Sequence, residues 1–156
     1  MTAPERLLAA ARAKGVLIAT AESCTGGMVS AAITDVPGSS DIFERGFVTY
    51  SNAAKETMLG VRAETLAAHG AVSEEVAREM AEGALAHSRA SLAVAITGIA
   101  GPGGSEHKPE GRVCFALARK GQPTVTQTRE FGAPGRAAVR ARSTEHALDL
   151  LLSSLG

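Results

Sequence analysis

Tryptophan is absent from this chain, and aromatic side chains make up only 3% of its 156 residues, with one tyrosine and four phenylalanines. Proteins that hold single-stranded nucleic acid stack bases on aromatic rings and steer the backbone with a basic field. Neither device is present here, because 16 basic and 16 acidic residues cancel to a formal net charge of zero. No nucleic-acid partner is expected. Cysteine is scarce too: Cys24 and Cys114 form no CxxC pair and no disulfide framework, which fits a reducing, cytoplasmic setting. The four histidines, His69, His87, His107 and His146, are scattered without ligand spacing, so no metal site is expected. No apolar run approaches a membrane span, and Met1-Thr2-Ala3-Pro4-Glu5 lacks the charged and apolar regions of a signal peptide. A membrane partner is not expected.

What remains is a chain 45% apolar whose core must be built from Ala, Val, Leu and Ile. Its length predicts one domain over 1–156, without repeat or linker. Leu7, Leu8 and Ala11 mark a helix over about 4–14, ended by Gly15. Val16-Leu17-Ile18-Ala19 opens a strand apolar on consecutive positions, as strands covered on both faces are. A second strand is expected from Ile42 to Tyr50, interrupted near Gly46, and a helix with Lys55 and Leu59 closes at Gly60. Residues 63–68 predict a short helix, and Ser73-Glu74-Glu75 starts another that runs to about 87. Leu92-Ala93-Val94-Ala95-Ile96 is the third strand. Strands near 111–119 and 125–131 are joined by a Gly121-Gln122-Pro123 hairpin, before a last helix over about 135–154. Alternating helices and strands followed by a hairpin predict an α/β sandwich with a mixed sheet.

Three loops follow predicted strand ends: 22–27, 49–55 and 97–104. Ligands in such sheets bind beyond the carboxyl ends of the strands, so the three loops are candidates for one site. The first, Ala21-Glu22-Ser23-Cys24-Thr25-Gly26-Gly27, sets Ser23, Cys24 and Thr25 where backbone N–H groups and a helix dipole can stabilise an anion or oxyanion. Ser23 or Thr25 serves equally well as a helix cap. The motif is neither a P-loop nor a Gly-x-Ser-x-Gly elbow.

Four ordered segments carry a resemblance to a known family. They are Ala21 to Gly27, Phe47-Val48-Thr49-Tyr50-Ser51-Asn52 with Lys55, Gly70-Ala71-Val72-Ser73, and Thr97-Gly98-Ile99-Ala100-Gly101-Pro102. Together they resemble the CinA C-terminal domain family, whose stand-alone bacterial members are nicotinamide-nucleotide amidohydrolases. The resemblance covers about residues 5–152 and departs at Lys108-Pro109-Glu110-Gly111, where the family more often has an apolar residue before the glycine. It implies a three-layer α/β/α sandwich with a mixed, mainly parallel five-stranded sheet. It also implies hydrolysis of the carboxamide of nicotinamide mononucleotide to nicotinic acid mononucleotide and ammonia, without cofactor or metal, and a homo-oligomer.

The family's serine and lysine match Ser23 and Lys55. A serine hydroxyl needs a base, and a desolvated lysine can be one; the alternative for Lys55 is an exposed helix lysine. Tyr50 and Ser51 are candidates for positioning the lysine or the substrate, although a tyrosine there can simply pack. Candidate substrate contacts are Thr25, Gly26, Gly27, Ser39, Ser51, Thr97, Gly98, Ala100 and Gly101, with Arg140 or Arg142 for the phosphate. Ser39 reads equally well as turn chemistry, and the glycines as an ordinary strand-to-helix turn. Two other functions stay open: a pyridine-nucleotide-binding or regulatory module without turnover, and an amidase using the Cys24 thiol.

Overall fold

Side chains of the three central strands alternate between large and small, and this gives the sheet two unlike faces. The computed structural model describes residues 1–156. Its strands are β1 (Ile18–Glu22), β2 (Phe43–Val48), β3 (Leu92–Gly98), β4 (Arg112–Arg119) and β5 (Val125–Glu130), and its helices α1 (Ala3–Lys14), α2 (Met28–Thr34), α3 (Asn52–Leu59), α4 (Ala63–His69), α5 (Glu74–Ala86) and α6 (Arg136–Leu155). The sheet order is β2-β1-β3-β4-β5. β1 pairs in parallel with β2 and β3, and the two later pairings are antiparallel, so only β4 runs against the other four strands.

Successive strand residues point to opposite faces. Ile18, Leu92, Val94, Ile96, Val113 and Phe115 therefore share one face, packed under α1, α2 and α6. Ala19, Ala21, Ala93, Ala95, Ala116 and Ala118 share the other, packed under α5. A face paved with alanine lets α5 lie close to the sheet, and Leu59 of α3 packs into the same cluster. The result is the expected three-layer α/β/α sandwich.

Gly15, Gly60 and Ser73 mark helix ends as expected, and Thr2 with Glu5 adds a cap not anticipated from sequence. Thr2 and Glu5 form a capping box, Gly15 and Gly60 close α1 and α3 in the left-handed conformation, and Ser73 caps α5. The predicted break near Gly46 is not found: β2 is continuous there, with Gly46 opposite Thr20. The irregularity lies at Glu44, which the register skips between the Ile18–Phe43 and Ala19–Arg45 pairs. Gly46 has a different function, since a Cβ on it would lie 2.6 Å from Ser30 Oγ and 2.8 Å from Thr20 Oγ1. No helix is long and apolar enough to cross a membrane.

Candidate active site

β1, β2 and β3 run in parallel, so the loops after them leave the same edge of the sheet. Ser23 extends the β1 ladder by one residue, its N–H donating to Ile96 O at 3.0 Å. The chain then turns through Gly26 and Gly27, with φ of +57° and +103°, into α2. The amides that begin α2 are not free for a ligand. Glu22, fully buried, accepts from Gly27 N at 3.2 Å, Val29 N at 3.0 Å, Ser30 N at 3.0 Å and Ser30 Oγ at 2.7 Å. The helix therefore carries its own internal anion, and that carboxylate ties α2 to the residue preceding Ser23.

Lys55 comes from α3, whose start is capped by Ser51 Oγ accepting from Ala54 N at 3.0 Å. The lysine is 1% exposed. Its Nζ lies 3.1 Å from Ser23 Oγ, 3.1 Å from Thr49 O and 3.4 Å from Tyr50 O. Burial pushes its pKa down from the ordinary lysine value, with the negative charge of Glu106 opposing the shift. A neutral amine has two N–H donors and one lone pair. In that form the two carbonyls, which can only accept, take the N–H groups and leave the lone pair for the Ser23 hydroxyl, whereas the ammonium form donates to Ser23 Oγ. This is the arrangement of a nucleophile beside its base. Cys24, the neighbouring thiol, is buried and its pKa is pushed up to about 12, chiefly by burial, which leaves little thiolate at neutral pH.

The pair lies in a pocket of about 310 Å³ walled by Tyr50, Asn52, Ala71, Val72, the run from Thr97 to Glu106, and Arg136. Thr97 Oγ1 donates to Ala71 O at 2.8 Å, joining the β3 end to the segment before α5. Arg136 donates to Gly101 O at 2.6 Å and to Tyr50 Oη at 2.8 Å, so it links two of the three loops at the mouth. Glu110, the residue at which the sequence departs from the family pattern, accepts from Gly103 N at 2.6 Å and braces the loop. Ser23 N and Gly26 N are bonded within the turn or to β3, whereas the amides of Cys24, Ala100 and Gly101 are free of such bonds and belong to pocket-lining residues.

Of the residues singled out from sequence, Ser23, Lys55, Tyr50, Thr97, Gly98, Ala100 and Gly101 line this pocket. Thr25, Gly26 and Gly27 form the turn behind it, and Ser51 acts as a cap. Ser39 sits in a short 3-10 turn before β2, outside the pocket. Arg140 is committed elsewhere, donating to Cys24 O at 3.0 Å and Thr25 O at 3.4 Å, and braces the Ser23 turn from behind. Arg142 is exposed. The cation at the mouth is Arg136, and the acid in the wall is Glu106; sequence reasoning named neither. Arg136 carried a faint signal, because it opens a helix, where the dipole disfavours a cation, and no acid accompanies it in the first turn.

The fold and pocket define an α/β/α-sandwich protein built around a buried serine–lysine pair. The chain belongs to the CinA C-terminal domain family, whose sequence model matches residues 2–155. It is 56% identical over 152 residues to the nicotinamide-nucleotide amidohydrolase PncC of Escherichia coli (strain K12), covering 97% of this chain and 92% of that protein. A CinA-like protein of Chlorobium phaeobacteroides (strain BS1) is 55% identical over 146 residues, which cover 91% of this chain and 35% of that longer protein. The crystal structure of competence/damage inducible protein CihA from Agrobacterium tumefaciens superposes with a TM-score of 0.94 at 45% identity, covering 97% and 92% of the two chains.

Proposed function

We propose that this chain is a nicotinamide-nucleotide amidohydrolase that hydrolyses the carboxamide of nicotinamide mononucleotide to the acid and ammonia. The observation that carries the mechanism is the 3.1 Å contact between Lys55 Nζ and Ser23 Oγ in a buried setting. Ser23 Oγ attacks the carboxamide carbon while Lys55 takes the hydroxyl proton. The negative charge on the carboxamide oxygen falls to the free amides of Cys24, Ala100 and Gly101. Lys55 returns the proton to the departing nitrogen, ammonia leaves, and an ester remains on Ser23. Water, deprotonated by Lys55, then attacks that ester and releases the carboxylic acid, restoring the serine.

In this reading Arg136 takes the phosphate at the mouth, where a guanidinium already spans Tyr50 and the Gly101 loop. Tyr50 positions both Arg136, through its hydroxyl, and Lys55, through its carbonyl. No cofactor or metal enters the scheme. The chain works as one domain over 1–156, in the cytoplasm, as a homo-oligomer. The test is ammonia release from a panel of pyridine nucleotides by wild type and Ser23→Ala, with and without a chelator, alongside light scattering for the assembly. Release from nicotinamide mononucleotide by wild type alone supports the reading. Binding without release supports a nucleotide-binding module instead, and inhibition by chelator reversed by one divalent metal overturns the metal-free scheme.

A further inference from the structure

Glu106 is the only acidic side chain in the wall of the pocket, which otherwise holds two cationic residues, Lys55 and Arg136. Its placement is built rather than incidental. Ser105 and Lys108 pair through Ser105 N to Lys108 O at 3.0 Å and Lys108 N to Ser105 O at 2.8 Å, so Glu106 and His107 are the two central residues of a tight turn. Both have left-handed backbones, φ +52° and +64°, which glycine or asparagine would adopt with less strain. The turn is pinned from below by Lys108 Nζ, which donates to His69 O at 2.6 Å and Val72 O at 2.5 Å. Gly70 leaves the space that Lys108 Nζ and the carboxylate share: a Cβ there would lie 2.9 Å from Lys108 Nζ and 3.0 Å from Glu106 Oε2. The carboxylate therefore lies beside Gly70, whose neighbours Ala71 and Val72 line the same pocket as Glu106 and Lys55.

Glu106 is the one carboxylate in the pocket wall, and Arg136 is the guanidinium at its mouth. Nicotinamide mononucleotide carries the complementary pair, a cationic pyridinium ring and an anionic phosphate. Resting on the proposed function, we infer that Glu106 is a specificity-determining residue that selects the oxidised, cationic pyridinium over the uncharged 1,4-dihydropyridine form of the same nucleotide. The two forms share carboxamide, ribose and phosphate, so the discrimination falls on ring charge. Arg136 attracts the phosphate of both equally and contributes nothing to the choice. The alternative is that Glu106 only shapes the turn, in which case both forms are affected alike.

The experiment measures equilibrium binding of nicotinamide mononucleotide and its 1,4-dihydro form by calorimetry. It uses Ser23→Ala to prevent turnover, alone and combined with Glu106→Gln or Glu106→Asp. Ser23→Ala is expected to prefer the cationic ring by roughly tenfold, the scale of a charge pair partly screened by water. Glu106→Gln should remove most of that preference by weakening the cationic ligand alone. Glu106→Asp, which keeps the charge and tolerates the left-handed backbone, should retain it. Raising the salt concentration should narrow the preference in Ser23→Ala and not in the Gln variant. An unchanged ratio in Glu106→Gln, an equal loss for both ligands, or no binding of either overturns the inference. Ammonia release by the wild type judges the proposed function separately. A binder without turnover that shows the ratio change retains this inference and loses that function, and an active enzyme with an unchanged ratio does the reverse.

Discussion

Gly83 of α5 meets the backbone of Leu59 at the end of α3 so closely that a Cβ on Gly83 would lie 2.0 Å from the Leu59 carbonyl oxygen. Leu59 and Lys55 share α3, four residues apart, and both are buried. The depth at which α3 docks on α5 therefore sets how far the lysine amine reaches toward Ser23.

Gly83→Ala is expected to separate α3 from α5 and draw Lys55 away from the serine. Overpacking against backbone cannot be relieved by a rotamer change, so a stability loss of about 2–3 kcal/mol is expected. Turnover should fall in the fraction that remains folded, with nucleotide affinity less affected. Thermal unfolding and kcat on the same preparation check both. A variant as stable and active as wild type would show that the helices reseat without cost.

Lys55 makes activity and stability depend on pH in the same direction. In the proposed mechanism the neutral amine is the base, so kcat/KM should rise with pH through the lowered Lys55 pKa. Because that pKa is lowered on folding, the unfolded chain binds more protons between the lowered value and the ordinary value of about 10.4. The penalty for burying the lysine is thus complete below the lowered pKa and fades as pH rises toward the ordinary one. Lys55→Met is expected to abolish turnover and to escape this penalty. Its stability relative to wild type should be most favourable below the lowered Lys55 pKa and decline as pH rises toward about 10. Parallel unfolding curves at all pH values would contradict a depressed lysine pKa.

Lys55→Arg should be nearly as inactive as Lys55→Met. Arginine keeps the charge but does not deprotonate at working pH, so it cannot accept the serine proton. Turnover near wild type in the arginine variant would remove Lys55 from the role of base.

Ser23→Ala should lower turnover by about a thousandfold or more while nucleotide binding survives. Cys24→Ala should cost only a modest factor, because Cys24 belongs to the hydrophobic core cluster and its thiol stays protonated. An active Ser23→Ala beside an inactive Cys24→Ala would reverse the assignment of nucleophile.

Glu22→Gln tests the buried anion behind the nucleophile. A glutamine at Glu22 can accept through only one oxygen and presents an NH₂ toward amides that need an acceptor. A stability loss of about 2–3 kcal/mol is expected, with a drop in kcat because the Ser23 turn loses its tether to α2. Urea unfolding and steady-state kinetics measure the two effects. No change in either would mean that the four hydrogen bonds to Glu22 contribute nothing net.

The sequence by itself determined the layers of this protein and the pair at its centre. Period-two alternation of large and small residues in Ile18-Ala19-Thr20-Ala21 and Leu92-Ala93-Val94-Ala95 encodes two faces, and local capping chemistry at Thr2, Gly15, Gly60 and Ser73 marks the helix ends. Both are short-range effects, legible in neighbouring residues, and the family motifs singled out Ser23 and Lys55. Only the tertiary structure decided which polar groups face the pocket. Arg140 and Arg136 lie one helical turn apart on α6, yet one is bound to the Ser23 turn and the other to Tyr50 and Gly101. Glu22 and Glu106 are both glutamates in or near Gly-rich loops, yet one is sealed under α2 and the other lines the pocket. Those choices depend on contacts between residues up to 116 positions apart, as in the Arg140–Cys24 bond, and on the depth at which helices dock. Neither is written in any local stretch of the chain.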